Sequence, residues 1–139
     1  MLIDTIKFIA VTSGQSAAGS RMFVGLTVTV DGEVVATSED AGGGAPGAVK
    51  ETEMALSHPI ESNSINLASF DLYVEAGGDP TDAWLPAEIY VLGRSGSGDY
   101  SLLAGISNWP DSLWMSRDPA GHSGPEALSN YNLGVVAGV

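Results

Sequence analysis

The segment Arg21–Asp31, RMFVGLTVTVD, places Met22, Val24, Leu26, Val28 and Val30 on one side and Phe23, Gly25, Thr27 and Thr29 on the other. Strict period two with β-branched residues throughout is the pattern of a half-buried strand. Asp31-Gly32 follows at once, ahead of a second apolar run, EVVATSE. A type I′ turn needs positive φ at both central residues, and Asp-Gly meets that need, so the pair predicts a tight β-hairpin. A chain that commits to a hairpin here must complete an antiparallel sheet around it.

The remaining patterns supply the partners. Ile3–Thr12 reads as a strand in which Ile3, Lys7, Ile9 and Val11 oppose Ile6, Phe8 and Ala10. Val49–Ser57, Ile65–Glu75, Ala87–Leu92 and Tyr100–Ile106 read as further strands, and Leu113–Ser116 and Leu133–Val136 as short ones. Asp40–Ala48, DAGGGAPGA, reads as a loop, and the stretch SHPIESNS from Ser57 reads as a break. Pro110, Pro119 and Pro125 exclude a long helix in the last third. Turn signals recur about every ten residues, as in small all-β domains. The expected fold is all-β: an antiparallel β-sandwich of about eight strands with little helix. A closed barrel is the open alternative. One domain is expected over residues 1–139, with 108–139 an irregular C-terminal extension packed on it. The length is enough to bury a core without disulfides, and cysteine is absent.

Charge excludes several functions. Seventeen acids face five bases, a formal net charge of −12. Such a surface repels phosphate backbones and carries no basic stripe, so no nucleic-acid partner is expected. Anionic membranes are disfavoured for the same reason. No apolar run approaches the roughly 18 residues of a membrane span. The opening MLIDTIKFIAV has no basic start followed by an apolar block, so no secretory leader is expected, and compartment stays unknown.

Candidate chemistry is sparse. Asp79 and Asp82 lie three apart in a Gly-rich stretch, EAGGDPTDAWLP, with Glu75 before them and Asp99 in a neighbouring connection. Calcium takes several carboxylate and carbonyl oxygens, so these four are the candidate ion ligands. Turn chemistry explains the same residues without an ion, leaving Asp79 exposed at a loop tip. His58 and His122 are too far apart in sequence for a local zinc pair. Gly121-His-Ser-Gly-Pro125 brushes the nucleophile-elbow pattern, but its prolines deny the strand and helix that pattern needs. Gly93–Gly98 is glycine-rich but joins two strands, so no helix dipole follows it to hold phosphate. No catalytic residue is assigned, and a non-enzymatic protein is expected. Trp109, Trp114 and Tyr100 are the candidate ligand-binding residues, since aromatic rings on loops stack on sugars or anchor interfaces. The competing expectation is that the indoles plug the core, Trp84 above all.

Two stretches resemble PLAT/LH2-type domains. In IKFIAVTSGQSAAGSRMFVGLTV, Thr12, Ser13, Gly14, Gly19 and Ser20 stand where that family has its Thr-Gly loop and Gly-Ser-like step between two strands. In INLASFDLYVEAGGDPTDAWLPAEIYV, Trp84, Leu85 and the Ile89/Val91 pair resemble its later Trp-apolar-Leu re-entry. The likeness spans about two thirds of the chain, and one fold serves many functions. It implies a β-sandwich that binds carbohydrate, lipid headgroup or protein through edge loops, in some cases with calcium. The alternative is a structural subunit of an assembly such as a virion, phage tail or surface appendage. There the apolar end, Gly134–Val139, would add a strand to a neighbouring copy.

Overall fold

A computed structural model describes residues 1–15, 19–74, 83–116, 127–128 and 130–138. The strands are β1 (Leu2–Thr12), β2 (Ser20–Val30), β3 (Glu33–Gly44), β4 (Val49–Glu61), β5 (Phe70–Val74), β6 (Ala83–Trp84), β7 (Pro86–Arg94), β8 (Ser101–Ile106), β9 (Trp114–Ser116), β10 (Ala127–Leu128) and β11 (Asn130–Asn132). One short helix, α1 (Leu133–Ala137), follows β11. A first sheet runs β4-β1-β7-β8 and a second runs β11-β5-β2-β3. A small third sheet runs β10-β9-β6. All pairings are antiparallel except β10 with β9. The fold is therefore all-β and sandwich-like, and the sheets do not close into a barrel.

The core lies between the two larger sheets. Ile6, Phe8 and Ala10 of β1 and Ile89 and Val91 of β7 come from one side. Val24, Leu26 and Val28 of β2 and Phe70 and Leu72 of β5 come from the other. Phe8 and Phe70 meet with ring centroids 6.4 Å apart. The β2–β3 hairpin forms as its sequence demands: Asp31 and Gly32 have φ of 52° and 79°. Ile3 departs from the expected face. The pairing of β1 with β4 slips between Ile3 and Thr5, so Ile3 opposes Ile60 while Thr5 opposes Ala55. That irregularity shifts the alternation and buries Ile3 beside Ile6.

Four boundaries differ from the sequence reading. β4 continues past Ser57 to Glu61, because it is an edge strand and Pro59 lies in the slipped segment, where a missing N–H breaks no ladder. β3 runs on through Asp40 to Gly44, which the composition assigns to a loop. Gly42 has a packing cause: a Cβ there would stand 2.9 Å from the Trp84 ring. Residues 65–69 are not strand, since Leu67–Ser69 forms a 3-10 turn capped by Asn66. Finally, the expected strand at Leu133–Val136 is helix. Asn132 caps it by accepting from the Gly134 N–H at 3.0 Å. Leu133 and Val136, three apart, are buried while Val135 is exposed, which is helical spacing. Its backbone bonds internally, so this segment offers no free strand to a neighbouring copy.

Trp84 joins the three sheets. Its Nε1–H donates to Thr12 Oγ1 at 2.9 Å, and Thr12 donates to the Gly43 carbonyl at 3.2 Å. β1, β3 and β6 are thereby linked through one buried chain of hydrogen bonds.

Candidate functional site

Of the four candidate calcium ligands, Glu75, Asp79 and Asp82 lie outside the described residues, as do His122 and Ser123. Asp99 is exposed in the β7–β8 connection. Among the described residues no three His, Asp or Glu side chains converge where they would hold an ion. His58 lies on β4, not in a loop. Its Nε2 is 3.3 Å from Glu33 Oε2 and its Nδ1 is 3.1 Å from the Pro59 carbonyl. Both partners are acceptors, so the ring is best satisfied as the imidazolium, and its pKa is raised by the Pro59 carbonyl and then by Glu33.

The two C-terminal indoles do not present stacking faces. Trp109 is only 3% exposed; its Nε1–H donates to the Leu113 carbonyl at 2.8 Å and its ring meets Tyr131 edge-on at 5.7 Å. Trp114 is 8% exposed, and its carbonyl accepts from Tyr131 Oη at 3.1 Å. Burial of a large apolar area is what they contribute. Trp114 lies in β9 of the third sheet, and both indoles belong to the buried core cluster.

Tyr100 is different. It sits half-buried on the outer face of the first sheet, just before β8. Lys7 Nζ and Arg94 Cζ each lie 4.7 Å from its ring centroid. Its hydroxyl donates to Glu53 Oε2 at 2.5 Å, and Glu53 Oε1 is 3.5 Å from Arg94 Nη2. Four elements thus contribute: β1 supplies Lys7, β4 Glu53, β7 Arg94 and the β7–β8 connection Tyr100. Pairing makes this possible, since Lys7 stands opposite both Glu53 and Leu92. Burial, then the bond to Glu53, pushes the phenol up to about 12. The Tyr100 hydroxyl, Arg94 and Lys7 hold the Glu53 carboxyl below its usual range. A phenol so firmly protonated moves no proton near neutrality, so the cluster acts as a cross-strand clamp with a fixed aromatic ring. Asp4 closes the adjoining turn: its carboxylate accepts from the Gly96 N–H at 3.0 and 3.2 Å and from Thr5 Oγ1 at 2.9 Å. Its pKa is lowered by the Gly96 bond first.

The same face carries apolar side chains. Ile9, Val11 and Leu92 are half-buried on it, and Leu102 and Val49 are 64% and 61% exposed. Sequence reasoning singled out Tyr100 but not Lys7, Glu53 and Arg94. Only the register that aligns β4, β1 and β7 brings those three together.

Comparison of the chain with protein families, with curated proteins and with solved structures finds no match.

Proposed function

We propose that this chain is a non-enzymatic β-sandwich binding module whose partner is a protein, met on the outer face of the first sheet. The observation that carries the reading is the make-up of that face. An apolar middle of Ile9, Val11, Leu92 and exposed Leu102 is bordered by the fixed Tyr100–Glu53–Arg94 cluster. An apolar centre with a polar rim is the anatomy of protein interfaces. The PLAT/LH2-type resemblance fits a binding role, and Tyr100, supplied by the β7–β8 connection, lies on this face beside Lys7 and Arg94.

The test is a binding screen against immobilised peptides, glycans and phospholipid vesicles, run in parallel with Leu102→Glu. Retention of a peptide or protein ligand that the variant loses supports the reading. Retention of glycans or vesicles alone, or equal retention by the variant, overturns it. A second reading is a structural subunit of an assembly, favoured by the near balance of charge on this face in a strongly acidic chain.

A further inference from the structure

We propose that the outer face of the first sheet is a self-association surface, on which a second copy of this chain packs with its strands antiparallel. The proposal goes beyond the binding reading by naming the occupant of that face. Its basis is the order of side chains along β7. The outward positions are Glu88, Tyr90, Leu92 and Arg94, alternating with buried Ile89, Val91 and Gly93. An acid stands at one end and a cation at the other, about 20 Å apart at the rise of a strand, with ring and aliphatic between them. Read antiparallel against itself, this stripe is complementary. A two-fold axis lying across β7 brings Arg94 of each copy to Glu88 of the other and Leu92 to Tyr90, so each contact occurs twice.

Position and charge support a second copy. β7 is an interior strand of the sheet, between β1 and β8, so the stripe crosses the middle of the face. Ile9 of β1, opposite Tyr90, and Leu102 of β8, opposite Leu92, widen the apolar part. Charge elsewhere keeps two copies apart, since the chain carries −12. Where β4, β1 and β7 pair without a slip, from Thr5 to Val11 of β1, the outward positions carry Glu51, Glu53 and Glu88 against Lys7 and Arg94, a sum of −1; beyond the slip, Glu61 stands opposite Leu2 and pairs with the N-terminal amine. This is where two acidic molecules approach with least repulsion. Glu51 and Glu53 lie on the edge strand β4, at the rim, where salt screens them. The face spans four strands and about 20 Å, roughly 400 Å² in projection. That is below the area of a permanent interface, so the dimer is weak and concentration-dependent.

Sedimentation velocity over a wide concentration range tests this, with circular dichroism and melting curves confirming that each variant folds. The wild-type chain is expected to shift from monomer towards dimer as concentration rises. E88R and R94E each set like charges against each other twice and are expected to weaken the dimer about tenfold or more. An equimolar mixture of E88R with R94E restores opposite charges across the axis and is expected to associate. If R94E does not fold, because Glu53 loses its partner, E88R and L102E decide: both must weaken the wild-type dimer. A wild-type chain that stays monomeric at the highest concentrations, variants that dimerise as well as wild type, or a mixture of folded variants that stays monomeric would overturn the proposal. A monomer that still retains a peptide ligand sensitive to Leu102→Glu removes self-association and leaves the binding reading standing.

Discussion

At the scale of single residues, Trp84 carries the most structural consequence. Its indole N–H satisfies Thr12 Oγ1 inside the core, and its ring fills the space that Gly42 leaves open. Trp84→Phe removes a buried donor and part of a large ring, with an expected loss of about 3 kcal/mol in chemical denaturation. Gly42→Ala drives a methyl group against a rigid ring, with an expected loss of about 1–3 kcal/mol by the same measurement. His58 gives a pH signature. Its folded pKa is raised, so the stability it contributes is fully present below the unfolded value near 6.5 and is lost as pH rises through the folded pKa. Melting temperature is expected to fall across that window, and His58→Gln is expected to flatten that fall. Asp4 and Glu53 act on the acid side. Their folded pKa values are depressed, so their contribution is present above the unfolded values and is lost as pH falls through the folded ones.

At the scale of elements, the sequence pattern was most legible where neighbours reinforce it. β2 buries Val24, Leu26, Val28 and Val30 as its alternation demands, and the Asp-Gly turn forms after it. Legibility failed where tertiary packing overrides composition. Gly42 and Gly43 look like loop residues, yet both sit in a strand: Trp84 leaves no room for a Cβ on Gly42, and Gly43 has a φ of 85°. Leu133–Val136 has β-branched residues but becomes helix because Asn132 both caps it and anchors it. The Asn132 side-chain amide donates to the Ala68 carbonyl and to Asp71 Oδ1, each at 3.0 Å. Asn132→Ala is expected to cost about 1–2 kcal/mol and to raise amide exchange in α1 above that in β1, read by hydrogen–deuterium exchange. The clamp on the first sheet was half legible. Tyr100 stood out as an aromatic, but Arg94 lay in what read as a loose connection, and no local pattern tied it to Glu53.

At the scale of the whole molecule, net charge and sheet topology act together. A surface charge of −12 favours solubility and opposes close approach of copies, while the first sheet gathers two of the five cations onto its outer face. Among the described residues no helix is long and apolar enough to cross a membrane. The phenol of Tyr100 provides a global check on the clamp. Ultraviolet titration is expected to show one tyrosine ionising near 12 in the folded chain, and Glu53→Gln is expected to shift that titration downward.

Hydrophobic alternation and turn chemistry by themselves determined that this chain would build antiparallel sheets, because period two and an Asp-Gly turn are local properties that few folds can use otherwise. Composition determined the acidic surface. Register and sheet order belonged to the tertiary structure alone, since both depend on which distant strands meet. They decided that Trp109 and Trp114 are core residues, that Ile3 turns inward, and that Lys7, Glu53, Arg94 and Tyr100 share one face. A side chain's neighbours across a sheet lie tens of residues away, and no window of sequence contains them.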